Sequence, residues 1–314
     1  MERIRSVAVV GGGLVGSGWA IVFAKAGLQV RLFDADEDVR RSAPGRIRAS
    51  LTDMRGYGLI GEDVEAIAGR VTLAESLADA VREADYVQES VFERVDVKTA
   101  VCLAIGEHLR ADAVCGSSSS GIPASAFTEK ARRRGRFLIA HPVNPPHLVP
   151  LVELVPAPWT EPEILPWLRS EMERLGQAPI VVSREIEGFI LNRLQGALLN
   201  EAWAIFDEGL ASTADIDRTV SHGLGYRWSF MGPFETIDLN APGGVDDYAR
   251  RLGPLYHRIA RSRADPRPWP AELIERVKAE RRRALPQADL PRRSAWRDRR
   301  LMALIAHLRK ETAD

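Results

Sequence analysis

His141 and Glu153 have the residue types and the surroundings of a catalytic acid–base pair. His141 follows the apolar run Phe137 to Ala140 and begins a segment with three prolines in six residues, which restricts the backbone. Glu153 lies among leucines and valines, where an unpaired carboxylate would be costly to bury. A carboxylate bonded to one imidazole nitrogen fixes the tautomer and makes the other nitrogen a better base. The same pattern also fits a structural histidine beside an edge-strand glutamate.

A second group of residues, near the N-terminus, has the spacing of a phosphate-binding turn. The apolar run Val7 to Val10 leads directly into the residues Gly11, Gly12, Gly13, Leu14, Val15 and Gly16. In such a turn Gly11 permits the tight bend, Gly13 lets the backbone approach a pyrophosphate, and Gly16 lets the helix pack closely on the strand. The N–H groups at the start of the following helix would bind the phosphates. The sequence therefore predicts a dinucleotide site.

An acid at the end of the next apolar run indicates which dinucleotide is bound. The run Leu28 to Phe33 ends at Asp34, 23 residues beyond Gly11. A carboxylate there can accept hydrogen bonds from the adenosine ribose hydroxyls, and it would repel a 2′-phosphate. Because the next three residues include no Arg or Lys, the sequence predicts NAD rather than NADP. The alternative is that Asp34 only ends a strand.

These groups require an α/β framework to position them. Strand-like apolar runs alternate with helical segments as far as Val182, whereas the chain beyond Gly188 shows mostly helical spacing. We therefore expect an N-terminal Rossmann-type domain, residues 1–187, with a doubly wound and mostly parallel sheet. An all-helical domain for substrate binding and dimerisation is expected over residues 188–314.

Composition excludes several other classes of protein. The 314 residues carry no formal net charge, so no bulk attraction to nucleic acid or to an anionic membrane is expected. No apolar run approaches the ~20 residues of a membrane span. The two cysteines, Cys102 and Cys115, are not in a CxxC motif or near paired histidines, which argues against disulfides and against a zinc site, so no metal is expected. Met1 to Arg5 leads straight into the first strand without room for a signal peptide, so a cytoplasmic protein is expected.

The chain resembles the L-3-hydroxyacyl-CoA dehydrogenase superfamily and, within it, the λ-crystallin branch that includes L-gulonate 3-dehydrogenase. The resemblance runs almost from end to end. Besides the glycine turn, it rests on the serine run 117–120 and on the segments HPVNPPHLVPLVELVP, GFILNRLQ, LNEAWAIFDEGLAS, GLGYRWSFMGPFETIDLNAPG and WRDRRLMAL.

The resemblance implies roles for five residues of the substrate site. His141 is implied as the general acid/base, and Glu153 as the group that orients it. Ser119 is implied to contact the reacting substrate oxygen, with a shift by one residue left open by the neighbouring serines. Asn192 is implied at the substrate, contributed by the helical domain, and Asn144 is a further candidate amide.

The resemblance also assigns roles to charged residues. Glu93 and Lys98 match positions that line the nicotinamide ribose; without the resemblance, a surface charge pair five residues apart would be the better interpretation. The segment 225–231 precedes the GPFE motif here, as in the gulonate branch, but not in acyl-CoA enzymes. Within it, Arg227 is suited to bind a substrate carboxylate. The alternative is an ion pair inside the helical domain, for example with Glu235.

The function implied is NAD-dependent oxidation of the 3-hydroxyl of a small free hydroxy acid, with L-gulonate to 3-dehydro-L-gulonate as the first candidate. Alternative substrates are L-3-hydroxybutyrate, carnitine and a 3-hydroxyacyl-CoA. The non-enzymatic alternative is a λ-crystallin-like structural protein that binds NAD. A homodimer through the helical domain is expected, because residues 189–211 hold more apolar side chains than one helix needs to cover a sheet edge.

Overall fold

The computed structural model describes residues 1–263 and 268–311. Its strands are β1 (Ser6–Val10), β2 (Gln29–Phe33), β3 (Val71–Leu73), β4 (Tyr86–Glu89), β5 (Val114–Ser117), β6 (Phe137–Pro142), β7 (Leu151–Pro156) and β8 (Ala178–Val181). The helices between them are α1 (Leu14–Lys25), α2 (Glu37–Gly56), α3 (Val64–Ala68), α4 (Leu77–Val81), α5 (Val95–His108), α6 (Ser125–Thr128) and α7 (Ile164–Arg174).

The later part of the described chain is helical. It comprises α8 (Leu191–Asp207), α9 (Thr213–Arg218), a π-helical turn (Thr219–Leu224), α10 (Gly225–Trp228), α11 (Pro233–Leu239), α12 (Gly244–Ser262), α13 (Ala271–Ala284) and α14 (Leu290–Glu311). Short 3-10 helices occur at Arg134–Arg136 and Gln287–Asp289. None of the helices in the described ranges has both the length and the apolar character of a membrane span.

The strands form one sheet of order β3-β2-β1-β4-β5-β6-β7-β8. Neighbouring strands are parallel except β6 and β7, which are antiparallel. The strand order reverses between β1 and β4, and the crevice outside the carboxyl ends of strands at such a point is where open α/β sheets bind ligands. The predicted fold class, a mostly parallel doubly wound sheet followed by helices, is confirmed.

The central strands β1, β4, β5 and β6 are buried on both faces because alternate residues of each strand enter different apolar clusters. In β1, Val7 and Val9 belong to a cluster with Trp19, whereas Ala8 belongs to a cluster with Phe127. Successive side chains of a strand point to opposite faces, so an uninterrupted Val/Ala run fits a strand covered by helices on both sides.

The compact units of the structure differ from the domains expected from sequence. One unit contains residues 1–193 together with the described residues from Asp298 onward, and the other contains residues 194–297. Met302 of α14 is buried in the cluster that holds Trp19, and Arg309 donates a hydrogen bond to the Leu59 carbonyl at 3.1 Å. The apolar spacing of α14 shows that one face is covered, but it carries no information about which unit covers it.

The second unit has contacts of its own. The rings of Trp203 and Trp269 stack with their centroids 4.5 Å apart, and Arg263 bonds to the carboxylates of Glu201 and Glu208. The π-helical turn in this unit lies between α9 and α10. π-Helical turns are rare in proteins overall, and many of those that occur lie at functional sites.

Candidate active site

His141 and Glu153 lie directly opposite each other in the antiparallel β6–β7 pair. Opposed residues of such a pair project to the same face with their Cβ atoms about 5 Å apart. The two side chains meet there, with His141 Nδ1 2.8 Å from Glu153 Oε2, and both are buried. The sheet register therefore creates a histidine–carboxylate pair of the kind expected from the sequence.

Glu153 also accepts hydrogen bonds from the backbone at the start of helix α8. Its Oε1 accepts hydrogen bonds of 2.9 Å from the backbone N–H groups of Ile190 and Leu191. Burial alone would raise the pKa of Glu153, but the hydrogen bonds from His141, Leu191 and Ile190 outweigh it and lower that pKa. An ionised Glu153 accepts a hydrogen bond from His141 Nδ1–H, which leaves Nε2 with a lone pair that can take a substrate proton.

The turn before α8 holds a phenyl ring beside the histidine. Phe189 is fully buried, and its ring centroid lies 5.8 Å from that of His141. Its φ of 50° is uncommon for a residue with a side chain, and it follows Gly188, whose φ is 73°. Strained residues of this kind cluster at functional sites. Sequence reasoning did not single out Phe189, although the Gly-Phe pair directly before a helix was a usable signal.

The serine run places two neighbouring hydroxyl groups in different environments. Ser119 is fully buried, and its Oγ lies 2.8 Å from Glu93 Oε1 and 2.7 Å from the Ile122 carbonyl. Ser120 is partly exposed, and its carbonyl accepts a hydrogen bond of 2.5 Å from Asn192 Nδ2. The structure thus brings together Ser120 and Asn192, whereas the Ser119 hydroxyl is held inside the loop. Asn192 itself belongs to the sheet-containing unit rather than to the helical one.

A polar cluster that sequence reasoning missed fixes the start of this run. Gln88 Nε2 donates to Ser118 Oγ at 2.8 Å, and the Tyr86 hydroxyl donates to Gln88 Oε1 at 2.7 Å. Trp19 Nε1 also donates to Ser118 Oγ, at 3.2 Å. A glutamine inside the buried strand β4 was the available signal, because buried polar side chains need partners.

Glu93 and Lys98 form part of a buried ion-pair cluster. Lys98 is 1% exposed, so the alternative of a surface charge pair is wrong for this residue. Its Nζ lies 3.3 Å from Glu93 Oε2 and 3.1 Å from both carboxylate oxygens of Glu89. Burial raises the pKa of Glu93, but Lys98 and the hydrogen bonds from Ser119 and the loop backbone lower it overall. Sequence reasoning did not identify Glu89, the fully buried last residue of β4.

The glycine turn has the geometry that a dinucleotide needs. Gly11 has a φ of 103°, and a Cβ there would lie 2.5 Å from the Ser90 carbonyl oxygen. A Cβ at Gly16 would overlap the Gly11 carbonyl oxygen, whereas one at Gly13 would meet nothing within 4 Å. Helix α1 begins at Leu14 with no acid in its first turn and, among the described residues, no side chain capping it. Its first N–H groups are therefore available to phosphate, and Val15 is among the residues that carry them.

Asp34 directly follows β2 and is oriented by the backbone. Its Oδ2 accepts from Gly12 N at 2.6 Å, and its Oδ1 accepts from Asp36 N at 2.9 Å. Each carboxylate oxygen keeps a further lone pair that can accept from a ribose hydroxyl. The residues present thus fit an adenine dinucleotide without a 2′-phosphate.

Asp34→Ala is expected to weaken NAD⁺ binding and to narrow the preference over NADP⁺, because it removes both the ribose acceptor and the repulsion of a 2′-phosphate. Dissociation constants for both cofactors, measured by fluorescence titration, check this expectation. Asp38→Ala is the matched control, since Asp38 is an exposed acid four residues further along. Comparable affinity of the unsubstituted protein for NADP⁺ and NAD⁺ would rule out this role for Asp34.

The remaining candidate residues lie outside these contacts. Asn144 follows β6 in the proline-rich loop, and its side chain is exposed. Arg227 is half-buried in α10, directly after the π-helical turn. Over residues 1–263 and 268–311 its guanidinium forms no ion pair, and Glu235, the alternative partner, is exposed in the first turn of α11.

The sheet, the glycine turn and the histidine–glutamate pair define a nucleotide-dependent dehydrogenase. The chain belongs to the 3-hydroxyacyl-CoA dehydrogenase family: the model of the family's NAD binding domain matches residues 6–186, and that of its C-terminal domain matches residues 188–284. The cofactor is NAD, as the first of these models indicates.

Relatives place the chain in the λ-crystallin branch of this family. The lambda-crystallin of Oryctolagus cuniculus is 36% identical over 304 residues, which cover 95% of this chain and 94% of that protein. The L-carnitine dehydrogenase of a Pseudomonas species is 34% identical over 255 residues, covering 81% and 78% of the two chains. The solved structure of 5-formyl-3-hydroxy-2-methylpyridine 4-carboxylic acid 5-dehydrogenase, an NAD⁺-dependent dismutase, matches with a TM-score of 0.79 and 27% identity over 98% of this chain and 99% of that one.

Proposed function

We propose that this chain is an NAD-dependent dehydrogenase of a small free 3-hydroxy acid, with L-gulonate as the first candidate substrate. The observation that carries the proposal is the buried contact between His141 and an ionised Glu153. This pair supplies a base with a fixed tautomer beside a dinucleotide fold, as oxidation of an alcohol requires.

In the proposed reaction the glycine turn and Asp34 would hold NAD⁺, which would supply the acceptor for the hydride that leaves the carbon bearing the hydroxyl group. His141 Nε2 takes the hydroxyl proton, and Glu153 stabilises the imidazolium that results. In the reverse direction His141 returns this proton to the carbonyl oxygen. Asn192 and a serine of the run 117–120 would hold the substrate oxygen in position.

We assign the substrate-contacting hydroxyl to Ser120 rather than to Ser119. The Ser119 hydroxyl has one proton and already faces two acceptors inside the loop at 2.7 and 2.8 Å. The partly exposed Ser120 hydroxyl has a longer contact of 3.3 Å with Glu93 Oε1, and the Ser120 carbonyl accepts from Asn192. Ser120→Ala is expected to lower kcat/KM roughly fivefold, the effect of about 1 kcal/mol for one hydrogen bond. Ser119→Ala should instead lower the melting temperature. Steady-state kinetics and thermal unfolding of both variants check this, and unchanged kcat/KM in Ser120→Ala would return the role to another serine.

A free carboxylate in the substrate is supported by two observations. Arg227 is a half-buried guanidinium without an ion pair in the described ranges, in the segment that differs from acyl-CoA enzymes. The substrates named for two of the relatives, L-carnitine and a pyridine carboxylic acid, are carboxylic acids. L-Gulonate follows from the resemblance to its branch, and the L-carnitine dehydrogenase similarity favours carnitine as the second candidate.

A substrate panel tests the proposal. NADH formation is followed with L-gulonate, L-3-hydroxybutyrate, L-carnitine and a 3-hydroxyacyl-CoA at equal concentrations. We expect the highest kcat/KM with a free acid, and L-gulonate first among them. Highest kcat/KM with the thioester would contradict the substrate class, and NAD binding without turnover of any compound would favour the structural, λ-crystallin-like alternative.

We also propose a homodimer through the helical segment beyond residue 188. Leu194 is 62% exposed, and Leu198 and Leu199 of the same helix α8 are also exposed in the single chain. Sedimentation is expected to give about twice the chain mass of 34.7 kDa at micromolar concentration. Leu194→Arg should shift the protein toward monomer, whereas Leu73→Arg, at an exposed leucine of β3, should not. A monomeric unsubstituted protein would contradict the proposal.

A cytoplasmic location is proposed as well. Cys102 and Cys115 are both free, buried thiols. Burial raises the pKa of each thiol well above its usual value, so neither is a reactive thiolate. Unpaired cysteines of this kind are typical of a reducing compartment.

A further inference from the structure

Glu89 is the centre of the buried charge cluster at the end of β4. Both of its carboxylate oxygens lie 3.1 Å from Lys98 Nζ. Oε1 also accepts from Val91 N at 2.7 Å, and Oε2 accepts a hydrogen bond from Ser117 Oγ. Lys98 reaches Glu93 as well, at 3.3 Å. The ammonium group is therefore fixed between a fully buried carboxylate and a partly exposed one.

The cluster carries a formal charge of −1, since two carboxylates surround one ammonium group. Cys102 and Cys115, which interact electrostatically with Glu89 and Lys98, remain neutral thiols because burial raises their pKa. Arg94, next to Glu93 in sequence, is paired with Asp96. Burying ion pairs seldom improves stability over well-packed apolar residues, because the desolvation penalty can exceed the attraction. A role in stability alone is therefore a weak explanation for Glu89.

The strand order places this cluster on one side of the cofactor crevice. The dinucleotide binds where the order reverses, between β1 and β4. Asp34, at the end of β2, fixes the adenosine side. The nicotinamide side must then lie toward β4, β5 and β6, the strands that carry Glu89, the serine run and His141. The negatively charged cluster therefore lies on the nicotinamide side of the crevice. The nicotinamide ring is the part of the cofactor whose charge differs between NAD⁺ and NADH.

We propose that Glu89 is a positioning residue for the nicotinamide half, acting through Lys98 on Glu93, and that the cluster's net negative charge favours oxidised over reduced cofactor. The nicotinamide ring is cationic in NAD⁺ and neutral in NADH, so a fixed negative charge in a poorly solvated region stabilises only the first. The inference depends on NAD binding and not on which hydroxy acid is oxidised.

The test is the ratio of dissociation constants for NAD⁺ and NADH in Glu89→Gln, measured by fluorescence titration or calorimetry without substrate. The substitution keeps the shape and removes one charge. We expect NAD⁺ binding to weaken relative to NADH by roughly tenfold, an effect on the order of that expected for removing one unit charge at an effective dielectric constant near 20. Because no turnover is measured, failure of the proposed substrate leaves this test intact.

The matched control is Glu171→Gln, which removes another buried carboxylate of the same unit. Glu171 bonds to Ile4 N and to Arg174, ahead of β1 and therefore at the opposite end of the strands. The ratio of NAD⁺ to NADH dissociation constants in Glu171→Gln should equal that of the unsubstituted protein. A Glu89→Gln ratio within twofold of the unsubstituted protein, or an equal loss of both affinities, would overturn the charge effect.

If thermal unfolding shows that Glu89→Gln does not fold, the ratio of NAD⁺ to NADH dissociation constants is measured in Glu93→Gln instead. This substitution removes a charge from the partly exposed end of the same cluster, and any lost ribose contact affects both cofactor forms alike. The same shift of the NAD⁺/NADH ratio is expected, and an unchanged ratio would overturn the proposal.

Discussion

His141→Gln is expected to lower kcat by roughly 10²- to 10⁴-fold, the usual contribution of a positioned general base. Glutamine can keep a hydrogen bond to Glu153, but it cannot take and hold the substrate proton. The affinity for NAD⁺ should change little, because the residues proposed to bind the cofactor, the glycine turn and Asp34, lie at the ends of β1 and β2. Steady-state kinetics together with cofactor titration separate the two effects.

The control for this substitution is His108→Gln, since His108 is exposed in the last turn of α5. Glu153→Gln should also lower kcat, because a neutral amide does not stabilise an imidazolium. That variant requires a thermal unfolding measurement beside its kinetics, since Glu153 also accepts from the first N–H groups at α8. Turnover of His141→Gln at the unsubstituted rate would remove His141 from the mechanism.

The sequence predicted those parts of the site that depend on local pattern. The Val7 to Val10 run, the glycine spacing and the acid at position 34 follow one another in the order that a βαβ unit requires, and the structure has β1, α1 and β2 there. Such features are readable because neighbours in sequence are neighbours in these elements.

Other features depend on contacts that no local pattern encodes. Four consecutive serines have no periodic signal, so only the loop geometry distinguishes the buried Ser119 from the partly exposed Ser120. Glu89 is the last residue of a short strand, a position where an acid usually indicates an exposed strand end. Its burial depends on the ion pair with Lys98 of α5, a contact that no local pattern predicts. Glu153 also accepts hydrogen bonds from Ile190 and Leu191 at the start of α8, and these residues follow it by 37 and 38 positions in the sequence.

Arg227→Met is expected to raise KM for a free 3-hydroxy acid steeply while leaving NAD⁺ affinity unchanged. Loss of a charged hydrogen-bond partner for an ionised ligand costs on the order of 2–5 kcal/mol, which corresponds to at least roughly 30-fold in KM. Arg227→Lys should recover only part of this, since an ammonium group cannot make the two parallel hydrogen bonds of a guanidinium. Steady-state kinetics with the best substrate of the panel give both values.

The control for Arg227 is Arg218→Met, which removes an exposed arginine of α9 that pairs with Asp215. This substitution should leave KM unchanged, because the charge of Arg218 is already paired with Asp215 within the helix and is accessible to water.

The comparison of substrates is the sharper test. A CoA thioester has no carboxylate at the position where a free acid has one, so Arg227→Met should lower kcat/KM for the free acid alone. An equal loss on both substrates would mean that Arg227 stabilises the helical unit rather than recognising a carboxylate.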